Sequence, residues 1–362
     1  MTTVLVTGAG GPLGVNFCRS LQAANMGLRI IGTDANPWHL PLSLCDETYQ
    51  IPFAKDLAAY QRALTEIAEI EEVSVLIPTH PVEVRAVAQL RDQDRLAGMR
   101  TALPSTAVLD ISDDKSRTQE VLSAAGIAVP RTRLIRGEDD LLAAFSELRE
   151  GDLPVWVRGS GAPGLGIGGA ALPCKSQSVA KAWIEHHEGW GKMAASEYLP
   201  GSNLTWMALF SQGELIAAGA RERLEYVLPH VSPSGITGAP AVSRTVCNPQ
   251  LEQIGEQAVR AIDDSAHGVY FVDFKGDSED RPLVTEINGG RCGTTSHFYT
   301  EAGCNFPMLL TQLAAEGSLE PLQNPRRVID AGHYWVRTLD CGPALVRAED
   351  FDSYPQAGME VL

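Results

Sequence analysis

The first 80 residues alternate between short apolar runs and stretches whose apolar residues recur at helical spacing. Apolar runs at residues 3–7, 28–34 and 73–78 predict buried strands, and the stretches between them predict helices. Strand, helix and strand in this order is typical of a parallel sheet covered by helices. We therefore predict an α/β chain that begins with a doubly wound, Rossmann-like domain.

The rest of the chain predicts two further units. Ser112 is a candidate N-cap for a helix that ends near Gly126. A strand at residues 154–158 leads into a glycine-rich stretch, and the strand-like runs after Gly201 are separated by short turns, which is typical of antiparallel pairing. A length of 362 residues suits two or three domains. The predicted domains are residues 1–111, 112–195 and 196–362.

Composition excludes several classes of protein. The net charge is −16 and no run of basic residues occurs, so the chain would repel a nucleic-acid backbone. No apolar stretch approaches the ~20 residues of a membrane span, and the N-terminus lacks the basic segment of a signal peptide. The seven cysteines are scattered and form no CxxC pair, which is typical of a reduced compartment. We expect a cytoplasmic enzyme.

A first glycine turn follows the first predicted strand. Gly8, Gly11 and Gly14, with Asp34 twenty residues after Gly14, satisfy a dinucleotide-binding fingerprint. Glycines there let backbone N–H groups approach a pyrophosphate, and the aspartate would accept from a ribose hydroxyl. No tyrosine has a lysine four residues further on, as a short-chain dehydrogenase would need. A tight strand–helix turn, or an anion site for a substrate, is the alternative.

A second glycine loop places six glycines between residues 159 and 169. So flexible a loop costs ordering entropy and adds little packing, and it suits a lid whose N–H groups close over phosphates. Arg158, at the end of the preceding strand, could hold phosphate oxygens with its planar guanidinium. The alternative is a surface hairpin.

Two carboxylates lie within apolar strands near the C-terminal side. Asp273 belongs to one predicted strand and Glu286 to the next, and strand alternation puts Asn288 on the same face as Glu286. Unpaired buried carboxylates are costly, and two carboxylates with an amide oxygen suit Mg²⁺ that bridges phosphates. These residues are the predicted metal ligands.

Taken in order, these motifs resemble the ATP-grasp superfamily over about residues 1–330. The similarity is greatest to the carboxylate–amine ligases allied to the large subunit of carbamoyl-phosphate synthase. Four stretches carry the resemblance. They are residues 113–118 with 126–130, residues 154–158, residues 197–201, and the two strands of Asp273 and Glu286 with Asn288 and Arg291. The fold that it implies is a Rossmann-like domain followed by a two-lobed ATP-grasp domain.

The resemblance implies a role for each candidate site residue. Lys115 and Arg158 would contact the phosphates of ATP, and Arg291 would stabilise the transferred phosphate. Arg223 is a second catalytic candidate, from its place in the chain rather than from the resemblance. The expected nucleotide contacts are completed by Ser160, Gly161, Gly164 and Gly166 of the lid, Glu197, Tyr198 and Leu199 of the adenine-binding hinge, and Asn203 near the ribose. Asp273, Glu286 and Asn288 would hold Mg²⁺, and the resemblance implies two such ions.

The sequence departs from the family pattern at two places, and one further pair is ambiguous. Asn203 replaces the usual ribose-binding acid, and Asn288 is separated from Arg291 by two glycines, one residue more than usual. Arg221 and Arg223 could hold a substrate carboxylate or the γ-phosphate, or could be solvated strand charges.

The implied activity is that of an ATP-dependent ligase that activates a carboxylate as an acyl-phosphate and couples it to an amine. Its expected partners are two small molecules, a carboxylate and an amine. We expect no nucleic-acid or membrane partner, and a homodimer is an open alternative to a monomer. Two other classes stay open. One is an NAD(P)-dependent oxidoreductase that uses the first glycine turn, and the other is a nucleotide-binding protein without turnover.

Overall fold

The computed structural model describes residues 2–161, 170–236 and 239–338, with residues 355, 356 and 358. Three sheets account for its strands. In the part of the chain described, no helix is long and apolar enough to cross a membrane.

The first sheet is parallel and has the strand order β3-β2-β1-β4. Its elements are β1 (Thr3–Thr7), α1 (Pro12–Ala23), β2 (Arg29–Asp34), β3 (Glu47–Gln50), α2 (Leu57–Glu71), β4 (Val75–Pro78) and α3 (Pro81–Asp92). Every residue of β1 is buried, as its apolar run predicts. Pro12 opens α1, where its missing N–H costs no helical hydrogen bond. The predicted Rossmann-like architecture of this part is confirmed.

The second sheet is small and antiparallel, with the strand order β5-β8-β6-β7. Its strands are β5 (Thr132–Ile135), β6 (Val155–Gly159), β7 (Leu172–Cys174) and β8 (Met193–Ser196). The helices α6 (Glu138–Leu148) and α7 (Gln177–His186) pack on this sheet. The helices α4 (Thr106–Ser112) and α5 (Lys115–Ala124) precede it in the chain.

The prediction that Ser112 caps a helix is wrong. Ser112 lies in the last turn of α4, and Asp114 caps α5. The Asp114 carboxylate accepts hydrogen bonds from the N–H groups of Ser116 and Arg117, at 2.9 and 3.1 Å, so it satisfies two donors of the first turn where a serine hydroxyl would satisfy one.

The third sheet is the largest and has the order β13-β12-β9-β10-β11-β14, with every neighbouring pair antiparallel. Its strands are β9 (Asn203–Ser211), β10 (Glu214–Tyr226), β11 (Pro240–Val246), β12 (Gly268–Gly276), β13 (Pro282–Gly289) and β14 (Tyr334–Val336), and its helices are α8 (Pro249–Ile262), α9 (Ser296–Glu301) and α10 (Phe306–Glu316).

The large sheet packs on both faces. Trp206, Ala208 and Phe210 of β9 join α8 in one hydrophobic cluster. Met207 and Leu209, which alternate with them, join α10 and the N-terminal domain in another. The N-terminal domain therefore packs against one face of the large sheet. The exact domain boundaries stay a prediction. The predicted boundary between residues 111 and 112 falls inside helix α4.

Candidate functional site

The three predicted metal ligands share one face of the large sheet. Asp273 of β12 lies directly opposite Glu286 of β13 in the antiparallel register, and Asn288 follows two residues along β13. Cross-strand partners have Cβ atoms about 5 Å apart, so the two carboxylates are close neighbours. They stand on the face that the N-terminal domain covers, because Phe271 of the same β12 face belongs to the shared cluster.

Each carboxylate is matched by a cation from another element. Lys115 Nζ lies 3.2 Å from Glu286 Oε2, and an Arg223 Nη2 lies 2.9 Å from Asp273 Oδ1. Thr205 Oγ1 also donates to Asp273 Oδ1 at 2.8 Å. Lys115 comes from the first turn of α5, and Arg223 comes from β10. The resemblance indicated Lys115, and Arg223 was one of two candidates on its strand that could equally have been solvated charges. Thr205 was missed, although strand alternation along β9 places it on this face.

The charges around Glu286 oppose the effect of its burial. Burial raises the pKa of the Glu286 carboxyl, but nearby positive charges lower it by more, so the pKa lies below its ordinary value. Those charges belong to Lys115, Arg158 and Arg291. Burial and the charge of Arg158 lower the pKa of Lys115, while Glu286 raises it in part. The cluster therefore concentrates positive charge, which suits phosphate groups.

Arg291 is aimed by the two glycines that lengthen its loop. An Arg291 Nη2 donates to Asn288 Oδ1 at 2.8 Å. Gly290 has a φ of +82°, and a Cβ at this position would lie 2.7 Å from Val84 Cγ1 of α3. Glycine is therefore required both by the backbone and by the close approach of the N-terminal domain. The extra residue turns the chain so that Arg291 reaches back to Asn288.

The donor set suits a hard cation in combination with phosphate oxygens. Asp273, Glu286 and Asn288 present carboxylate and amide oxygens, the ligands that Mg²⁺ prefers. In the described ranges no three histidine, cysteine, aspartate or glutamate side chains form a group that could hold a metal without further ligands. Mg²⁺ usually keeps few protein ligands and completes its shell with water and substrate phosphates, so the residues fit it.

The predicted hinge connects the small sheet to the large one. Glu197, Tyr198 and Leu199 lie between β8 and β9. The Glu197 carboxylate accepts from the backbone N–H of Arg131 at 2.8 Å and from its Nε at 2.6 Å. Leu199 is buried, and the Tyr198 ring centroid lies 6.3 Å from that of Trp156. The pairing of Arg131 with Glu197 was not apparent from the sequence, since 66 residues separate them.

Asn203 begins β9 directly opposite Lys275 of β12. Lys275 Nζ donates to the carbonyl oxygen of Gly201 at 2.5 Å, which ties the end of the hinge to the large sheet. Burial lowers the pKa of Lys275, and the charge of Arg223 adds to this effect.

The glycine-rich loop is described only at its ends. Arg158 lies in β6, and burial lowers its pKa. The Ser160 N–H and hydroxyl both donate to the carbonyl oxygen of Lys192, at 2.9 and 2.8 Å, and Gly161 has a φ of +104°. Gly164 and Gly166 lie outside the described residues.

The first glycine turn makes close backbone contacts of its own. A Cβ at Gly14 would lie 2.2 Å from the carbonyl oxygen of Gly8, so this glycine permits the strand and α1 to pack tightly. The Asp34 carboxylate accepts from the N–H groups of Gly10 and Asn36, at 3.3 and 2.9 Å. The Asp34 carboxylate is therefore occupied by backbone N–H groups of nearby residues.

No protein-family model matches the chain, and no curated protein matches it in sequence. Solved structures do match it. An L-amino acid ligase from Bacillus licheniformis superposes with a TM-score of 0.63 at 13% identity, covering 88% of this chain and 75% of the ligase. The biotin carboxylase domain of a Hydrogenobacter thermophilus 2-oxoglutarate carboxylase, a dimer with MgADP, ADP and bicarbonate, gives 0.66 at 17% identity, with coverage of 92% and 73%.

A third similar structure is the N5-carboxyaminoimidazole synthetase from Staphylococcus aureus complexed with ADP. Its TM-score is 0.64 at 18% identity, covering 88% of this chain and 78% of the synthetase. At these identities the likeness shows the fold. The chain has the α/β architecture of these enzymes, and the fold expected from the ATP-grasp resemblance is confirmed.

Proposed function

We propose that this chain is an ATP-dependent ligase that activates a carboxylate as an acyl-phosphate and couples it to an amine, with release of ADP and phosphate. The observation that carries the proposal is the pairing of Asp273 and Glu286 on adjacent strands, each faced by a cation from a different element. The fold shared with an L-amino acid ligase and with a carboxylase that binds MgADP supports it.

In this reaction a carboxylate oxygen attacks the γ-phosphorus of ATP, and ADP leaves. The amine nitrogen then attacks the acyl carbon, loses a proton and displaces phosphate. The protein supplies position and charge in both steps. Lys115 and Arg158 would hold nucleotide phosphate, and Arg223 and Arg291 would stabilise the charge on the transferred group.

Asp273, Glu286 and Asn288 would hold Mg²⁺ against the phosphates. The metal would neutralise phosphate charge and orient the transferred group. In the structure Arg223 and Lys115 already neutralise the two carboxylates, at 2.9 and 3.2 Å. We infer that phosphate oxygens would draw these cations away and free carboxylate oxygens for the metal.

The remaining parts of the proposal concern the nucleotide and the setting. Residues 197–199 would hold adenine, Asn203 would lie near the ribose, and residues 159–169 would close over the phosphates and exclude water from the acyl-phosphate. A cytoplasmic location and a homodimer remain predictions. The first glycine turn has no role in the nucleotide chemistry of this proposal, since Asp34 accepts from Gly10 and Asn36.

The test is release of ADP and phosphate from ATP in mixtures of candidate acids and amines, with and without Mg²⁺. We expect release that needs both substrates and Mg²⁺, and its loss in Glu286→Gln. Glu279→Gln is the matched control, since its side chain is 72% exposed in the turn between β12 and β13, and it should behave as the wild type.

Nucleotide binding separates the alternative functions. Mg²⁺-ADP at 100 times its Kd should stabilise the protein by about 2.7 kcal/mol. Stabilisation by NAD(H) or NADP(H), with none by adenine nucleotides, would instead favour the oxidoreductase. Stabilisation by ADP without turnover in any mixture would favour a non-catalytic nucleotide-binding protein.

A further inference from the structure

Arg221 of β10 is a buried cation that forms no ion pair with any of the residues that the structure describes. Its relative exposure is 5%, and it is the only arginine or lysine in the buried set of the described residues. No ion pair of Arg221 forms with a carboxylate of the described ranges. Asp273, the acidic residue whose charge raises the pKa of Arg221, is paired with Arg223 at 2.9 Å. A buried charge without a counter-ion is costly, so its retention calls for an explanation.

Arg221 belongs to a polar row that begins at the candidate metal ligands. The strand register places Glu286 opposite Asp273, Asp273 opposite Thr205, Thr205 opposite Arg221, and Arg221 opposite Thr245. Directly opposed residues of antiparallel strands point to the same face of a sheet. The Glu286 and Asp273 side chains are 33% and 21% exposed, whereas Thr205, Arg221 and Thr245 further along the row are buried. Arg221 therefore lies at the deep end of the row.

Within the described part of the chain, the groups that contact the Arg221 guanidinium are neutral hydroxyls. An Arg221 Nη1 donates to Ser243 Oγ at 3.0 Å, and the Tyr299 hydroxyl of α9 lies beside it and raises its pKa, against a larger lowering by burial. Arg221 Nε has no hydrogen-bond partner in the described structure. Neither a serine nor a tyrosine hydroxyl can neutralise the charge.

Buried polar atoms without partners concentrate around this arginine. Half of those found among the described residues belong to β10, β14 and the start of α9. They are Arg221 Nε, Arg223 Nε, Tyr226 Oη, Thr295 Oγ1, Ser296 Oγ, Tyr299 Oη and Trp335 Nε1. Native proteins leave few such atoms unpaired, and a concentration of them points to a bound group that would pair with them.

On the basis of the proposed ligase function, we propose that Arg221, seated on Ser243 beside Tyr299, binds the substrate carboxylate that is to be activated. In the strand register Arg221 lies on the other side of Asp273 from Glu286, the partner of Lys115, so a carboxylate held there would meet the γ-phosphate from the side opposite the nucleotide. A guanidinium binds a carboxylate through two parallel N–H donors. Its burial would also keep water away from the acyl-phosphate.

The experiment compares acids with their amides as probes. The panel is the common L-amino acids and short mono- and dicarboxylic acids, each tested beside its amide for thermal stabilisation of protein saturated with Mg²⁺-ADP. We expect at least one acid to stabilise the wild type while its amide does not. In Arg221→Gln the apparent affinity for that acid should fall about 100-fold, and Arg221→Lys should restore part of it because the charge returns. Stabilisation by Mg²⁺-ADP itself should be unchanged.

Two further variants control for folding. Arg244 lies on β11 beside Ser243 and pairs with Glu222 on the exposed side, so Arg244→Gln should keep full acid affinity. If Arg221→Gln does not fold, Ser243→Ala serves instead, since it keeps the charge and removes the hydroxyl that accepts from it. We expect Ser243→Ala to weaken acid binding several-fold with no change in ADP binding.

Wild-type acid affinity in Arg221→Gln would overturn the proposal, and so would wild-type acid affinity in Ser243→Ala where Arg221→Gln does not fold. A wild type that no acid of the panel stabilises, with or without Mg²⁺-ADP, would also overturn it. Acid binding that depends on Arg221, in a protein that makes no ADP from ATP with any amine, would support the carboxylate site and refute the ligase function.

Discussion

Glu83 of α3 is a buried carboxyl that should make the free energy of unfolding depend on pH. Its side chain is buried beneath the first glycine turn, where Tyr60 Oη donates to Oε1 at 3.3 Å and Oε2 has no hydrogen-bond partner among the described residues. Burial raises the pKa of this carboxyl from 4.5 to about 7, and the charge of Asp34 adds to the rise, while hydrogen bonds oppose it. We predict that Glu83→Gln stabilises the protein above pH 7.

The sign follows from proton linkage. Between the unfolded pKa of 4.5 and the folded value of about 7, the native state holds a proton that the unfolded chain has lost. The free energy of unfolding therefore falls as pH rises through this window and is lower by a constant amount above it. A difference of about 2.5 pKa units at about 1.4 kcal/mol each corresponds to about 3.5 kcal/mol. Glutamine is uncharged at every pH and lacks this dependence.

The assay is urea unfolding at pH 5, 6, 7 and 8 for wild type, Glu83→Gln and Glu69→Gln. Glu69 is exposed on α2, so its variant reports the effect of removing a carboxylate that stays solvated. The unfolding free energies of wild type and Glu83→Gln should diverge with rising pH, by about 2.5 kcal/mol between pH 5 and 8 in favour of the variant. A constant difference between the two across this range would refute the assignment of a buried, protonated Glu83.

Three further predictions test the packing and the charge cluster. Gly10→Ala should lower the free energy of unfolding by about 3 kcal/mol, because the new Cβ would lie 1.9 Å from a backbone oxygen. Gly11→Ala should lower it by less than about 1 kcal/mol, because its Cβ would lie 3.4 Å from the nearest atom. Equal free energies of unfolding for the two variants would contradict the packing. A double-mutant cycle of Lys115→Met and Glu286→Gln should give a coupling of about 1–3 kcal/mol in urea unfolding, and a value near zero would show that the 3.2 Å pair is not formed in solution. This coupling should be present above the ordinary glutamate pKa and disappear as pH falls through the lower folded pKa of Glu286, and a coupling that persists in strong acid would contradict the direction of that shift.

The N-terminal sheet could be predicted because its signals are local. The buried run Thr3–Thr7, the glycines after it and Pro12 at the start of α1 each act within a few residues. The strands of Asp273 and Glu286 were also recognisable, because an acidic residue within an apolar run is unusual on any strand.

Other features depend on contacts between distant segments. Ser112 and Asp114 are both good capping residues, and only the packing of α4 decides which of them begins the next helix. Arg131 meets Glu197 across 66 residues, and no periodicity indicates such a pair. Arg221 carries no local sign of its burial, because its position depends on the register of five strands.

Transfer of oxygen from the acid to phosphate tests the central claim most directly. A carboxylic acid substrate labelled with ¹⁸O in both carboxylate oxygens is incubated with the enzyme, Mg²⁺-ATP and the amine, and the released phosphate is analysed by mass spectrometry. Attack of the carboxylate on the γ-phosphorus predicts one ¹⁸O atom in each phosphate formed by ligation, with ADP unlabelled. Amide formation with unlabelled phosphate, or with the label in AMP, would contradict an acyl-phosphate.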